Sequence, residues 1–293
     1  MKLKIKDGAV DLSLTKVMGI IDVHSDGSRS LDDYVARARQ MQSAGAEFVQ
    51  AGMTALNPEV TPQEEEERLI PVIERLSSNL DIHVGVCTTY PQTMEKAKEV
   101  GASFIVDPNA LRREGAVEMA AKLQLPVVLI FNDNINIEDD PKVDLVAEVS
   151  EFFFERIDTC LNAGLSRKLI IIDPSMSFET QMEQRLKLLG RLESFRSFAL
   201  PLSLGIPRSM AFNESLQSES RAVSITLAVF CSNEGVNIIR TREVADMAMS
   251  LATWQLAANK ARPFQLSKSI IRRFRSLRDS MRQHRLQRKM NKN

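Results

Sequence analysis

The chain has 293 residues, 44% of them hydrophobic, and its 38 basic and 38 acidic residues balance to a formal net charge of zero. This length suits one large α/β barrel or two smaller domains, and no apolar run reaches the roughly 18 residues of a transmembrane helix. The charged first residues lack the apolar stretch of a secretory signal. Three scattered cysteines and three histidines without zinc-site spacing are typical of a cytoplasmic protein with reduced thiols.

Apolar runs that are continuous, as in parallel strands buried on both faces, alternate with helical patterns along the chain. The sequence predicts eight strands, at residues 17–23, 47–51, 82–87, 103–107, 127–131, 169–173, 202–206 and 236–240. It predicts helices at residues 31–44, 62–77, 91–100, 112–123, 142–163, 179–194, 214–233 and 242–259. Ser30 and Pro62 mark helix starts, while Gly45, Gly101 and Gly164 mark helix ends.

Eight strand–helix units predict an α/β fold, a single (βα)₈ TIM barrel over residues 1–260. An open sheet of six or seven strands would show much the same pattern. In such barrels the chemistry lies at the carboxyl ends of the strands. The clearest candidate is Asp173, which ends the apolar run that begins at Leu169 and is followed by Pro174.

The last part of the chain, residues 261–293, is predicted to be a basic amphipathic helical extension. From residue 262 onward it holds 11 basic residues and one acid, Asp279. One helical face carries apolar residues at Leu266, Ile270, Phe274, Leu277 and Met281. Such a helix can contact an anionic membrane surface, a partner protein or nucleic acid, or pack on the barrel or a second subunit. No motif for specific nucleic-acid recognition is present.

Several segments together resemble the dihydropteroate synthase family of pterin-binding barrels. They read VMGIIDV, PQEEEERLIPVIERL, IIIDPSMSF, SLGIPRSMAF and NIIRTRE, in the order and spacing of that family from about residue 17 to 254. The resemblance implies a TIM barrel that joins p-aminobenzoate to a dihydropterin in folate biosynthesis, with loss of diphosphate and with Mg²⁺. It also implies a homodimer.

The resemblance also implies roles for residues at the strand ends. Asp173 would hold the pterin ring edge, and Asp22 would bind Mg²⁺. Arg240 and Arg242 would bind an anionic group. The remaining residues predicted to bind the substrate are Phe178, Arg208, Asp107, Asn132 and Cys87.

Several positions depart from the family pattern. The substituted positions are Asp22 for asparagine, Gln50 for an acid, Cys87 for aspartate, Val106 for asparagine, Ser209 for lysine and Arg242 for histidine. We therefore predict a diverged member that binds a pterin or similar heterocycle with an anionic group, and that transfers it to an arylamine if catalysis is retained. The alternative is a non-catalytic barrel that acts as a binding or regulatory module through its basic tail. A methyltransferase of the related methyltetrahydrofolate-binding barrels is a third interpretation.

Overall fold

Eight parallel strands form the centre of the protein in a computed structural model that describes residues 1–5, 8–23, 29–53, 60–132, 144–175, 182–206 and 220–261. A short antiparallel hairpin, β1 (Lys2–Ile5) and β2 (Gly8–Asp11), precedes them. The eight strands are β3 (Lys16–Val23), β4 (Phe48–Met53), β5 (His83–Cys87), β6 (Phe104–Asp107), β7 (Val127–Ile130), β8 (Ile170–Asp173), β9 (Ser203–Gly205) and β10 (Ile238–Thr241). Each lies within a few residues of a predicted strand, so the strand predictions are confirmed.

The strands curl into a nearly closed barrel. Their order is β8-β7-β6-β5-β4-β3-β10-β9, and every neighbouring pair is parallel. A parallel bridge between Ile172 and Leu202 joins β8 to the approach of β9, and the Ile172 N–H donates to the Pro201 carbonyl at 3.1 Å. This bridge brings together the two ends of the strand order, so the TIM barrel prediction is confirmed over the open sheet.

The helices connect successive strands. Their bounds are α1 (Leu31–Ser43), α2 (Pro62–Asn79), α3 (Pro91–Glu99), α4 (Ala116–Leu123), α5 (Leu145–Asn162), α6 (Met182–Leu189), α7 (Ser220–Asn233) and α8 (Val244–Ala261). The predicted cap Ser30 is confirmed: its hydroxyl accepts from the Asp33 N–H at 3.2 Å, and the Asp33 carboxylate accepts from the Ser30 N–H at 3.0 Å. Thr61 and Glu64 form the same capping box at α2.

Two predicted helix bounds are wrong. Helix α4 begins at Ala116 rather than at residue 112, because Ala110 and Leu111 adopt positive φ angles of 49° and 59° and hold residues before it in a loop. Helix α6 ends at Leu189, before Gly190, rather than at residue 194, and a 3₁₀-helix, Leu192–Phe198, follows it. The predicted starts at residues 142, 179 and 214 lie outside the described residues.

Two separate apolar cores hold the barrel together. The outer core lies between the strands and the helices and includes Val49, Leu69, Val72 and Ile172. The inner core fills the barrel near the amino ends of the strands, where Met18, Phe48, Phe104, Val128, Ile171 and Ile238 pack on Leu3, Ile5, Val10 and Leu12 from the amino-terminal segment. The hairpin therefore seals one end of the barrel, a feature the sequence did not predict.

The chain divides into two compact units, Met1–Ala252 and Thr253–Asn293. Of the second unit, the structure describes residues 253–261, the last turns of α8. The predicted basic tail at residues 262–293 lies outside the described residues. Within the described part of the chain, no helix combines the length and apolar character needed to cross a bilayer.

Candidate functional site

Four predicted site residues lie at the carboxyl ends of barrel strands and on the inner face of the barrel. Side chains alternate between the two faces of a strand. The preceding residues Ile21, Val86, Ile172 and Ile239 belong to the outer core. The residues that follow them therefore point inward: Asp22, Cys87, Asp173 and Arg240. Arg242 lies two residues beyond Arg240 and is therefore on the same side of the chain.

Asp173 and Arg240 form a buried ion pair. The Arg240 Nε–Asp173 Oδ2 distance is 2.7 Å, and the side chains are 8% and 0% exposed, respectively. The other oxygen, Oδ1, accepts from the Ser175 backbone N–H at 2.9 Å and from the Ser175 hydroxyl. Burial by itself would raise the pKa of Asp173, but the Arg240 charge and these hydrogen bonds outweigh it and hold the pKa below its ordinary value of 3.8. Asp173 is therefore held as a carboxylate.

Gly205 makes room for this pair. A Cβ atom at Gly205 would lie 3.0 Å from Arg240 Nη2 and 3.3 Å from Ser175 Oγ. The Gly205 N–H also donates to Ser175 Oγ at 2.6 Å. Strand β9 thus fixes the serine that in turn orients Asp173, and a larger residue at position 205 would displace both partners.

Asp22 and Arg242 form a second ion pair at the mouth of the barrel. It is bidentate, with Arg242 Nε 2.6 Å from Asp22 Oδ2 and Arg242 Nη2 2.7 Å from Asp22 Oδ1. The side chains are 28% and 22% exposed, so this pair faces solvent more than the first. The hydrogen bonds with Asp22 raise the pKa of Arg242 above its ordinary value. Since β3 and β10 are neighbours, the pair also ties their carboxyl ends together.

The side chains at Asp22 do not fit a Mg²⁺ ion as they lie. Magnesium needs free carboxylate oxygens, and both oxygens of Asp22 accept hydrogen bonds from Arg242. In the described part of the chain, no three Asp, Glu, His or Cys side chains cluster as metal ligands. Mg²⁺ binding at Asp22 stays a prediction that these contacts do not support.

Cys87 lies at the same mouth as a neutral thiol. Burial raises its pKa to about 12, although the nearby Arg240 charge lowers it, and Asp107, Glu65 and Asp22 raise it further. Its strand neighbour is Gly52, where a Cβ atom would lie 2.8 Å from the Cys87 Cβ. A protonated cysteine packed this tightly lines the wall of the site and is no nucleophile at neutral pH.

The structure does not bring Asp107 to the inner face. Its side chain points to the opposite face of β6 from Val106, which belongs to the inner core. It shares the outer face with Ile105 of the outer core. Its Oδ1 accepts from the Asn109 N–H at 2.6 Å, and the Leu111 backbone N–H also interacts with the carboxyl group. Burial raises its pKa to about 7. Asp107 thus shapes the turn after β6, and its predicted role in substrate binding stays untested.

Asn132 follows β7 on the inner side, two residues beyond Ile130 of the inner core. Its backbone carbonyl accepts from Arg112 Nη2 at 2.8 Å, so the segment after β6 is linked to the segment after β7. Phe178 and Arg208, two further predicted binding residues, lie outside the described residues, as does Ser209.

Two buried polar side chains that the predictions did not include face the inside of the barrel. Gln50 on β4 is 4% exposed and Ser203 on β9 is fully buried, and each alternates with residues of the outer core. Gln50 Oε1 has no hydrogen-bond partner among the described residues, whereas the Ser203 hydroxyl interacts with the Asp173 carboxylate and helps to lower its pKa. Gln50 is detectable in the sequence as one polar residue inside the apolar run FVQAGM at residues 48–53.

A cavity of about 500 Å³ lies at the other end of the barrel. It is lined at the amino ends of strands β4 and β5 by residues such as Glu47, Ile82 and His83. None of the predicted site residues lines it. The predicted residues gather instead at the carboxyl ends, as expected for a TIM barrel.

Known proteins are similar to this chain in sequence and fold over most of its length. The family described as Pterin binding enzyme matches residues 22–242. The dihydropteroate synthase of Escherichia coli (strain K12) is 33% identical over 282 residues, which cover 90% of this chain and 100% of that relative. The chain belongs to the dihydropteroate synthase family. The family prediction made from the motifs is therefore confirmed.

Other members of the dihydropteroate synthase family agree in sequence and in fold. The Bacillus subtilis (strain 168) enzyme is 29% identical over 260 residues, or 84% of this chain and 90% of that relative. A Yersinia pestis dihydropteroate synthase structure with a sulfonamide drug complex has a TM-score of 0.81 at 30% identity, covering 88% of this chain and 100% of that one. A Xanthomonas albilineans dihydropteroate synthase in complex with 7,8-dihydropteroate has a TM-score of 0.79 at 29% identity, covering 88% and 99%.

Proposed function

We propose that the protein binds a pterin-like heterocycle in the mouth of the barrel, with Asp173, Gln50 and Ser203 on the wall that contacts the ring. The proposal is supported by the family and by a solved relative in complex with 7,8-dihydropteroate, a pterin-derived ligand. A pterin edge presents adjacent donors and acceptors, so its binding site needs polar groups with spare hydrogen-bonding capacity.

Gln50 Oε1, which is buried without a hydrogen-bond partner among the described residues, carries this proposal. A buried polar group without a partner costs about 1–3 kcal/mol, and most buried polar groups in proteins are satisfied. Gln50 Oε1, on the inner face of the barrel, is stabilised if a ligand supplies the missing hydrogen bond. Asp173, held ionised on the same inner face, already accepts hydrogen bonds from Arg240 and Ser175, so a ring N–H would share one of its oxygens.

Substitution of Gln50 separates a ligand-binding role from a structural one. Gln50→Met keeps the length of the side chain and removes the unsatisfied oxygen. We expect the free protein to keep or gain stability, while its affinity for a dihydropterin falls about 5- to 150-fold, since one buried hydrogen bond is lost. Isothermal titration calorimetry and urea unfolding measure the two effects. Unchanged affinity together with lower stability would assign Gln50 to the core alone.

Transfer of the pterin to an arylamine with loss of diphosphate needs a contact for the leaving group as well as the ring site. Complementation of a strain that lacks dihydropteroate synthase tests for this reaction. Growth would establish the transferase function. Pterin binding without growth would support the non-catalytic binding module, and deletion of residues 262–293 would then test whether the tail carries its partner contacts.

A further inference from the structure

The turn after β6 contains two consecutive residues with a strained backbone. Ala110 and Leu111 have φ angles of 49° and 59°, in the left-handed region that L-residues avoid. Both side chains are buried and apolar, so neither has the short polar group that makes this conformation easier for Asn and Asp. Strain of this kind persists only where the surrounding contacts hold it, and it is frequent at functional sites.

Arg156, on helix α5, supplies two of the contacts that hold this turn. Its Nε donates to the Ala110 carbonyl at 3.0 Å, and its Nη2 donates to the Leu111 carbonyl at 3.1 Å. The arginine is only 8% exposed. Hydrogen bonds from a charged guanidinium are stronger than neutral ones, and its planar fork fixes the directions of both carbonyls together. One buried side chain thus holds both strained residues.

The two residues after the strained pair connect neighbouring strand ends. Arg112 Nη2 donates to the Asn132 carbonyl at 2.8 Å, just beyond β7. Arg113 Nε donates to Thr89 Oγ1 at 3.1 Å, and its guanidinium lies 4.1 Å from the centre of the Tyr90 ring, both of them just beyond β5. The turn after β6 therefore links the carboxyl ends of β5, β6 and β7.

We propose that Arg156 is a positioning residue for the ligand site. By holding Ala110 and Leu111 in the left-handed conformation, it fixes Arg112 and so the position of Asn132 at the mouth of the barrel. This inference rests on the proposed pterin-like ligand. The Arg156 guanidinium donates to the turn, so it acts on the ligand through the turn. A ligand's apparent affinity falls with the fraction of molecules in which the turn is in place.

Arg156→Lys tests the proposal, because it keeps the positive charge and loses the planar fork. Titration calorimetry on the full-length protein should show an affinity for a dihydropterin about tenfold lower than that of the wild type, as expected if the turn is in place in about one molecule in ten. Hydrogen–deuterium exchange of residues 108–115 should be faster in the variant. Urea unfolding checks that the variant is folded under the binding conditions.

Ala110→Gly separates positioning from a general loss of packing. Glycine adopts a positive φ without steric cost, so the turn depends less on the arginine. In the wild-type background the turn is already in place, and the affinity should change by less than about twofold. In the Arg156→Lys background the same change should restore the affinity by about threefold and slow the exchange of residues 108–115.

Arg167→Lys is the matched control. Arg167 Nη2 donates to the Phe198 carbonyl at 2.7 Å, next to Ala199, which also has a positive φ of 51°. This turn precedes β9 and so lies toward the amino ends of the strands. The control should leave both the dihydropterin affinity and the exchange of residues 108–115 unchanged.

Arg112→Gln tests the next link even if Arg156→Lys does not fold. Arg112 is exposed, so its substitution should leave the protein folded. Loss of its hydrogen bond to the Asn132 carbonyl should lower the dihydropterin affinity about threefold. An unchanged affinity would break the proposed route from Arg156 to the ligand.

Two results in the Arg156 variants would overturn the inference and leave pterin binding in place. One is wild-type affinity in Arg156→Lys, and the other is a lower affinity that Ala110→Gly does not restore at all. If the wild-type protein binds no dihydropterin, the proposed function itself fails, and the role of Arg156 at that site fails with it.

Discussion

Asp173 and Arg240 depend on each other for a stable charge. Both are almost fully buried, and each would be an uncompensated charge in the barrel if the other were removed. The lowered pKa of Asp173 means that its pair stabilises the fold at pH values above the ordinary 3.8. That contribution is lost as the pH falls through the folded-state pKa, so this pair adds to acid sensitivity rather than to any change near neutral pH.

Asp173→Asn tests this mutual dependence. We expect a loss of about 3–5 kcal/mol of unfolding free energy at pH 7, because Arg240 stays buried without its partner. The double variant Asp173→Asn with Arg240→Met should be more stable than Asp173→Asn alone, since it removes the isolated charge. Urea unfolding of the four members of the cycle measures the coupling. Additive losses would show that the two side chains do not stabilise each other.

The raised pKa of Asp107 predicts that the unfolding free energy falls as the pH rises, which is opposite to the dependence expected from Asp173. The folded-state pKa of Asp107, about 7, lies above its ordinary value of 3.8, so the folded protein holds a proton that the unfolded chain releases between these values. The unfolding free energy should therefore fall by about 3 kcal/mol as the pH rises from 4 to 7. Asp107→Asn should flatten this slope.

The Asn side chain at position 107 keeps the oxygen that accepts from the Asn109 N–H, so the turn after β6 stays supported. Asp107→Ala provides the contrast, because it removes both the titrating group and the acceptor. It should flatten the slope as well, but lower stability at every pH. Chemical unfolding at intervals from pH 4 to pH 8 distinguishes the two variants. An unaltered slope in Asp107→Asn would place the proton elsewhere.

At the scale of single elements, the turn that enters β9 contains local backbone strain. Ala199 ends the 3₁₀-helix Leu192–Phe198 with φ 51° and ψ 33°, the left-handed region, and its side chain is exposed. An L-residue in this conformation costs about 1–2 kcal/mol relative to glycine, part of which glycine loses again through its freer unfolded chain.

Ala199→Gly should therefore stabilise the protein by about 0.5–1 kcal/mol, measured as a rise in the urea midpoint. A matched control is Ala252→Gly, because Ala252 is an exposed alanine within helix α8. That change should destabilise by about 0.5–1 kcal/mol, the normal cost of glycine in a helix. Equal effects of the two substitutions would argue against strain at residue 199.

The sequence predicted the barrel strands well because burial on both faces leaves a local signature. The runs before Asp173 and Asp107 are apolar without alternation, and each is a strand. The ion pairs left no such signature. Asp22 and Arg242 are 220 positions apart, and their contact follows from β3 lying beside β10, a pairing of the first and last barrel strands that no local pattern shows.

The same limit applies to the amino-terminal hairpin and to Asp107. Strands β1 and β2 are four residues each, too short for periodicity to decide, and their inner core partners come from strands throughout the chain. Asp107 ends a buried strand as Asp173 does, but Asp107 lies on the outer face of its strand and Asp173 on the inner face. A shift of one residue along a strand turns a side chain to the opposite face. An apolar run without alternation therefore does not show on which face of the strand its last side chain lies.

At the scale of the whole barrel, the two ends have different roles. The carboxyl ends of the strands carry the two ion pairs, while the amino ends are closed by the apolar hairpin. The Asn237 side chain also donates to the Leu12 carbonyl at 3.0 Å, which ties the hairpin segment to the approach of β10. Stability and ligand binding are therefore separable by mutation.

Leu3→Ala tests this separation. Leu3 is 1% exposed and packs in the inner core, so its truncation should cost about 2–5 kcal/mol of unfolding free energy through lost burial and the cavity left behind. Lys4→Ala, on the exposed face of the same strand, should change stability by no more than about 0.5 kcal/mol. Below the unfolding transition, Leu3→Ala should bind a dihydropterin as the wild type does, because Leu3 lies in the hairpin at the amino ends of the strands and Asp173 lies at the carboxyl end of β8. A loss of affinity without a loss of stability would mean that the hairpin acts on the mouth and does not merely close the barrel.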